Sequence, residues 1–226
     1  ASSPISLSAN DLTEALTASV STAPKKKEPA EKPKAKAKTK VENLDFVAWI
    51  QSYKGRKFNF LHCDFPYGIS LNSTTYNGSK AYSKYDDSKE VYFALLENLC
   101  EHHSKILFPT SHLMFWYSMN YPCETVRMLT EAGFVVNPYP LIWHKDRGIV
   151  PDPQRGPKRV YETALFASLG DRRVIRSPLN TIYGVVKKEG HLSTKPRPIL
   201  HHFFRMFVDN LTEMLDPTCG SGTALA

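Results

Sequence analysis

The chain has 226 residues, a formal net charge of +7 and four cysteines. A chain of this length can bury a core large enough for one folded domain, and no apolar run approaches the length of a membrane span. The N-terminus also lacks the apolar region of a signal peptide, so the sequence predicts a soluble, cytoplasmic protein.

Residues 1–40 carry more than half of the charge imbalance. They hold eight lysines against four acids, which leaves a net charge of only +3 for the rest of the chain. This Ser-, Ala-, Lys- and Pro-rich segment cannot bury enough apolar surface to offset its ordering entropy. We therefore predict a disordered linker or tail over 1–40, followed by a folded domain over 41–226. A basic arm that adds non-specific DNA affinity is the alternative reading of the tail.

Downstream of the tail, apolar patterning predicts strands that alternate with helices. In chain order the predicted elements are a helix over 44–53, a strand over 58–63, a helix over 87–104, a strand over 113–117, a helix over 123–132, a broken or edge strand over 134–143, a strand over 160–169, a helix over 198–210 and a strand over 213–216. Polar loops occupy 70–86 and 145–159, and residues 172–188 show no clear pattern. The alternation predicts an α/β domain with a mostly parallel sheet that helices cover on both faces.

The cysteines and histidines show no metal-binding pattern. The cysteines are scattered, without a C-x-x-C pair, at Cys63, Cys100, Cys123 and Cys219. This spacing favours reduced thiols in an intracellular protein. The adjacent pairs His102-His103 and His201-His202 would each point to different sides of a helix, which argues against a zinc site. We predict no metal centre.

The most informative segment is Asp64-Phe65-Pro66-Tyr67, which directly follows the predicted strand over 58–63. An exocyclic amino group on a base is a poor nucleophile, because its lone pair is delocalised into the ring. Asp64 and a backbone carbonyl of Phe65 or Pro66 can accept its two N–H bonds, proline stiffens the turn, and Tyr67 can stack on the base. Similar turns end strands in many α/β proteins, so the segment alone indicates only a candidate site.

A second candidate site lies in the segment Asp216-Pro217-Thr218-Cys219-Gly220-Ser221-Gly222-Thr223. A strand end, a glycine-rich turn and a helix start let the backbone approach a ligand. Only two glycines match the dinucleotide fingerprint, and the Walker lysine is missing. An acid at the strand end can accept from a cationic amino group but would repel a pyrophosphate. The turn therefore fits S-adenosylmethionine (SAM) better than NAD or ATP.

Both segments end predicted strands, and open α/β sheets bind ligands at the carboxyl ends of strands. In this order the pair resembles the β class of DNA amino-methyltransferases, in which the catalytic tetrapeptide precedes the cofactor turn. Other segments within 57–226 also resemble that family. Leu141-Ile142-Trp143-His144-Lys145 resembles its apolar-Trp-x-Lys strand, Arg159-Val160-Tyr161-Glu162-Thr163-Ala164-Leu165-Phe166 resembles the segment that follows, and His191-Leu192-Ser193-Thr194-Lys195-Pro196 resembles the His-x-x-x-Lys-Pro element that lines the cofactor site.

The resemblance implies a Rossmann-like methyltransferase sheet in permuted order, SAM as cofactor, and base flipping before methyl transfer to adenine N6 or cytosine N4. It implies catalytic roles for Asp64, Pro66 and Tyr67. It implies cofactor contacts from Asp216, Pro217, Cys219, Gly220, Ser221, Gly222, Thr223, Thr194, Lys195 and Pro196. An Asp at the first position of the tetrapeptide favours adenine, so we predict an adenine-N6-specific DNA methyltransferase. Cytosine N4 methylation and a non-catalytic nucleic-acid-binding module remain alternatives.

The same resemblance sets expectations about partners and cell type. DNA is the predicted partner, in a bacterial or phage-infected cell and in a restriction-modification or phage setting. The oligomeric state stays open, with a homodimer as one candidate. The predicted substrate contacts, which include basic and aromatic residues interleaved in the loop over 70–86, are Phe65, Tyr76, Lys80, Tyr82, Lys84, Arg155 and Arg159. A mobile solvated loop is the alternative reading of 70–86.

Two departures from the family pattern bear on the site. Phe65 stands where the family usually has the first of two prolines. The chain stops at Ala226, whereas the family continues with a helix and a strand that ends in an acid for the ribose hydroxyls. We therefore expect residues 1–226 to be a fragment that binds SAM poorly or not at all. His112, His144 and Trp116 fit structural roles, and the sequence assigns them no part in catalysis.

Overall fold

The structure is a computed structural model, and it describes residues 39–69, 86–149, 153–185 and 194–225. The chain divides between Lys40 and Val41 into two units, and every helix and strand described below lies in the second. The predicted disordered tail falls almost wholly outside the described residues and stays a prediction. None of the helices in the described ranges is long and apolar enough to cross a membrane.

The described residues form four α-helices and seven β-strands. In chain order they are α1 (Phe46–Ser52), β1 (Phe58–Asp64), α2 (Lys89–Ile106), β2 (Leu107–Trp116), α3 (Pro122–Glu131), β3 (Val135–Val136), β4 (Leu141–Ile149), β5 (Arg159–Leu169), β6 (Thr181–Gly184), α4 (Arg197–Phe204) and β7 (Met214–Leu215). A short 3₁₀ turn covers Thr223–Leu225. Each predicted element has a counterpart, and β6 lies in the stretch that showed no clear pattern.

The seven strands form one sheet in the order β6-β4-β5-β2-β1-β7, with β3 paired to β5. Three pairings are parallel (β1 with β2, β1 with β7, β4 with β6), and the three pairings of β5 are antiparallel. The prediction of a mostly parallel sheet is therefore wrong. Part of the predicted loop over 145–159 is strand, since β4 runs on to Ile149, and the described residues between β4 and β5 contain no helix. Parallel pairing needs such a crossover.

Helices cover both faces of the sheet, as the alternation predicts. On one face α1, α2 and α3 bury apolar side chains against β1, β2 and β5, with Phe46, Leu96 and Leu129 among them. On the other face α4 buries Ile199, Leu200 and Phe203. The buried residues of α2 are Tyr92, Leu96, Leu99 and Ile106, whereas Val91 and Leu95 are only partly buried.

The sheet places several strand ends at one edge. β1 ends at Asp64 beside Trp116, the last residue of β2, and β7 runs parallel to β1 on its other side. β5 is antiparallel to β2, with Ala164 opposite Trp116. Residues 159–163 of β5 therefore extend past this edge, and β4 extends with them. We call residues 142–149 and 159–163 the projecting end of β4 and β5.

Candidate active site

The tetrapeptide Asp64–Tyr67 leaves β1 at this edge of the sheet. The side chain of Phe65 is 1% exposed and packs against the rings of Phe46 and Phe115, with centroids 5.6 and 5.4 Å away. Its backbone, and not its ring, is therefore the part that can meet a substrate. The turn ends at Gly68, whose φ of +64° favours glycine and whose N–H donates to buried Asp87 at 2.8 Å.

A chain of alternating charges crosses the edge above the tetrapeptide. Lys195, just before α4, donates to both carboxylate oxygens of Asp64 at 2.7 Å and lies 3.2 Å from Glu162 on β5. Glu162 also accepts from Lys145 on β4 and from the hydroxyl of Tyr67 at 3.2 Å. Four segments far apart in sequence are thus joined through ion pairs. We call Lys145, Glu162, Lys195 and Asp64 the charge network.

The charge network sets the ionisation of Lys195, Glu162 and the neighbouring Tyr67. Burial lowers the pKa of Lys195, but Asp64 and Glu162 outweigh that effect and raise the pKa above its ordinary 10.5. Burial raises the pKa of Glu162, but Lys195 and Lys145 outweigh it and bring the pKa from 4.5 to about 2. Burial, followed by the charges of Glu162 and Asp64, raises the pKa of Tyr67 well above 10.0. At neutral pH the site therefore holds an ammonium, a carboxylate and a neutral phenol.

Two aromatic rings enclose the ammonium of Lys195. Its Nζ lies 4.9 Å from the ring centroid of Trp116 and 5.3 Å from that of Tyr67, within cation–π range. The Lys195 side chain is 6% exposed, whereas Asp64 keeps 23% of its side chain exposed. The carboxylate of Asp64 is therefore held by a buried cation on one side and open to solvent on the other.

The glycine-rich turn lies beside the tetrapeptide. The hydroxyl of Thr218 donates to the backbone carbonyl of Asp64 at 3.0 Å, which ties the two segments together. Gly220 and Gly222 have φ of +50° and +75°, a region that favours glycine. A Cβ added at Gly222 would meet no atom within 4 Å. The backbone of the turn thus borders an open space.

Three hydroxyl groups line the same turn. The hydroxyls of Ser221 and Thr223 are 2.8 Å apart, and that of Thr194 lies 3.4 Å from Ser221. Pro196 caps α4 directly after Lys195. Burial, and then the charge of Asp216, raises the pKa of the Cys219 thiol. The predicted cofactor residues on the Lys-Pro element and on the turn therefore lie side by side.

The side chains of His62, Trp116 and Asp216 form a buried, hydrogen-bonded group that supports the glycine-rich turn. Trp116 donates its indole N–H to Nε2 of His62 at 3.1 Å, and Nδ1 of His62 lies 2.9 Å from Asp216. Because an indole can only donate, Nε2 must accept, and so His62 carries its proton on Nδ1 and donates to Asp216. The other oxygen of Asp216 accepts from the backbone N–H of Thr218 at 3.1 Å.

The structure brings together some predicted site residues and separates others. Asp64, Pro66, Tyr67, Lys195 and the turn from Asp216 to Thr223 meet at one edge. The side chain of Asp216 is 2% exposed and already engaged, so its predicted contact with a cationic amino group stays a prediction. Arg155 and Arg159 are exposed at the far end of the β4–β5 hairpin. Tyr76, Lys80, Tyr82 and Lys84 lie outside the described residues.

Sequence reasoning assigned no role to four residues that shape the site. Lys145 and Glu162 belong to motif-like segments, and His62 and Trp116 to strands, but none of them was predicted to act. The one available signal for Glu162 was a lone acid in the otherwise uncharged stretch 160–169 of a strand, because a buried acid needs a cationic partner.

Comparison with known proteins identifies the fold. A scan against models of known protein families finds no match, and a search of curated proteins finds none either. Among solved structures, the chain is similar to the crystal structure of the M1.HpyAVI–SAM complex, with a TM-score of 0.60 and 18% identity over 80% of this chain and 82% of that one. It is also similar to a crystal structure of M1.HpyAVI, with a TM-score of 0.53 and 20% identity over 74% of each chain. The predicted methyltransferase-type α/β fold is thereby confirmed.

Proposed function

We propose that this chain is the catalytic domain of a DNA methyltransferase that uses SAM to methylate N6 of adenine. One observation carries the proposal: the tetrapeptide Asp64–Tyr67 and the turn Asp216–Thr223 leave neighbouring parallel strands at one edge and are joined by Thr218. The fold shared with M1.HpyAVI, whose crystal structure was solved as a complex with SAM, supports it.

The residues at the turn fit SAM. The open space beside Gly222 leaves room for a ligand against the backbone, and the hydroxyls of Thr194, Ser221 and Thr223 can donate to a carboxylate. Asp216 holds the turn through Thr218 and His62. When bound, SAM supplies an electrophilic methyl group, which a neutral amino nitrogen can attack.

The tetrapeptide and the charge network act on the base. The free side of the Asp64 carboxylate can accept an N–H of the exocyclic amino group, because a carboxylate has more acceptor sites than Lys195 occupies. The ring of Tyr67 can stack on the base. Glu162 holds the Tyr67 hydroxyl and Lys195 together, so that both the ring and the Asp64 carboxylate keep their orientation.

Transfer of tritiated methyl groups to DNA tests the proposal. The whole gene product is incubated with labelled SAM and with duplexes whose only amino-bearing target base is adenine or cytosine. We expect label in the adenine duplex and its loss in Asp64→Ala. The control is Asp171→Asn, an exposed acid after β5 at the opposite edge of the sheet, which should keep full activity.

The outcomes separate the alternatives. Label in the cytosine duplex alone would show that the methylated atom is cytosine N4 and not adenine N6. No transfer to either duplex, together with tight DNA binding, would indicate a non-catalytic module. Full activity of Asp64→Ala would refute the assigned role of the tetrapeptide. Isothermal titration of SAM into residues 1–226 tests the separate prediction that this stretch alone binds the cofactor poorly.

A further inference from the structure

Three exposed aromatic side chains form a row across β5, β4 and β6. Tyr161 on β5 lies opposite His144 on β4, and His144 lies opposite Tyr183 on β6. The rings of His144 and Tyr183 have centroids 5.4 Å apart. Tyr161 is 47% exposed and Tyr183 61%, and His144 is exposed as well. We call these three residues the aromatic row.

The aromatic row lies on the opposite face of the sheet from the charge network. Side chains alternate along a strand, so Glu162 and Trp143 point to the face of α4 while Tyr161 and His144 point away from it. Further along β5, Leu165 on this second face is covered by α1–α3. At the projecting end, none of the described residues covers this second face of the sheet. Because Tyr161 is adjacent to Glu162 in sequence, the row begins one residue from the candidate active site.

The spacing of the row suits stacked bases. Neighbouring strands lie about 4.8 Å apart, so a row across three strands spans about 10 Å. Sheets that bind single-stranded nucleic acid use aromatic residues on adjacent strands to stack two or three bases. An extended strand of unpaired nucleotides can therefore lay successive bases across Tyr161, His144 and Tyr183.

The charges around the row match a phosphate backbone. Arg147 and Arg159 are exposed on the projecting end, Lys158 is exposed directly before it in sequence, and Arg159 shares the face of Tyr161. Of the two acids on the projecting end, Glu162 points to the face of the charge network, and Asp146 is paired with Arg147 at 3.3 Å. Exposed rings accompanied by exposed cations favour nucleic acid over a protein partner.

We propose that the aromatic row is a stacking platform for unpaired DNA bases beside the nucleotide that enters the candidate active site. The inference rests on the proposed function, since it takes DNA as the partner. It adds that binding depends on flat rings and that single-stranded or locally opened DNA is preferred to closed duplex. The bases need no particular sequence, because every base has a face on which a ring can stack.

Fluorescence anisotropy with a labelled thymine-only strand of about 12 nucleotides tests the inference, alongside a hairpin duplex of matched length. The variants are Tyr161→Leu, Tyr183→Leu and the corresponding Tyr→Phe changes in residues 1–226. We expect each leucine variant to weaken single-strand binding about fivefold to hundredfold. Each phenylalanine variant should stay within about twofold, since stacking uses the ring and not the hydroxyl.

Tyr139 provides the matched control. It is 74% exposed and lies before β4, away from the row, so Tyr139→Leu removes an exposed ring without touching the platform. We expect its binding to equal that of the unmodified chain. Thermal melting of every variant should match the unmodified chain as well, because exposed side chains contribute little to stability.

Several results would overturn the inference. One is leucine variants that bind single strands as well as the unmodified chain. Another is phenylalanine variants that bind as poorly as leucine ones, which would mean hydroxyl contacts rather than stacking. A third is a dimer, detected by analytical ultracentrifugation, that dissociates in the Tyr183→Leu variant. That result would make this face an interface with a second copy of the chain. If the unmodified chain binds neither strand nor duplex, the proposed function fails too. If it binds DNA and the row variants are unaffected, only the platform fails.

Discussion

Replacing Lys195 by methionine removes the central cation of the charge network while keeping a long apolar stem. Lys195 is 6% exposed and donates to both oxygens of Asp64 at 2.7 Å, with Glu162 at 3.2 Å. Methionine fills much of the same space but carries no charge. Asp64 then loses the only cation that the structure describes in contact with it, whereas Glu162 keeps Lys145.

The size of the effect follows from burial. Removing one partner of a buried ion pair costs roughly 3–5 kcal/mol, because the other charge is left without compensation. Asp64 and Glu162 keep 23% and 22% of their side chains exposed, so water solvates part of the stranded charge. We therefore expect Lys195→Met to lower the free energy of unfolding by about 3 kcal/mol, near the low end of that range.

Urea unfolding followed by circular dichroism measures this change. Lys105→Met is the control, because Lys105 is an exposed lysine with a hydrogen bond to the Gln51 carbonyl, and we expect a loss below about 0.5 kcal/mol. Adding Asp64→Asn to Lys195→Met should recover most of the stability, since a neutral amide needs no counter-charge. A loss below about 1 kcal/mol in Lys195→Met, or no recovery in the double variant, would refute the reasoning.

Three further predictions concern acid stability and the cofactor turn. Glu162→Gln should lower the free energy of unfolding at neutral pH. The gap in free energy of unfolding between wild type and variant should shrink as acid protonates the wild-type carboxylate, between its ordinary pKa of 4.5 and about 2. A gap that stays constant in unfolding curves measured across this pH range would contradict the prediction. Burial lowers the pKa of His112 from 6.5 to about 4, so the free energy of unfolding of wild type should fall by up to roughly 3 kcal/mol as the pH drops through that window. The free energy of unfolding of His112→Phe should fall by less when both proteins are unfolded over the same pH range. Gly222→Ala and its control Gly133→Ala, both at positive φ with open space around the added Cβ, should each lower the free energy of unfolding by about 1–2 kcal/mol. Calorimetry on the whole gene product should find weaker SAM binding only in Gly222→Ala.

The helices and strands were largely readable from local patterns, and the deviations have local causes. The predicted helix over 87–104 begins at Lys89, because Ser88 caps it and Asp87 is used instead to bind the Gly68 N–H. The periodicity of its apolar residues could not decide which row faces the sheet, since Val91 and Tyr92 both continue a helical stripe. Docking on the sheet selected Tyr92, whose hydroxyl bonds the buried Thr125.

The candidate site was readable only in part. The ends of parallel strands meet at one edge of a sheet, so the nearness of Asp64 to the turn at Asp216 followed from two motifs and one general rule. The charge network did not follow, because Lys195 lies 131 residues from Asp64 and Glu162 sits on a strand that is antiparallel to β2, whereas a mostly parallel sheet was predicted. The tautomer of His62 likewise depends on Trp116, a strand neighbour.

By itself the sequence determined the α/β class, the strand that carries Asp64, and the glycine turn, because each depends on apolar periodicity or on backbone conformations of adjacent residues. Tertiary structure alone decided the mixed sheet, the charge network and the aromatic row. An ion pair such as Lys195–Asp64, or a row such as Tyr161–His144–Tyr183, exists only once strand order and register place distant residues side by side. Register of that kind is settled by the packing of the whole core, which no single segment encodes.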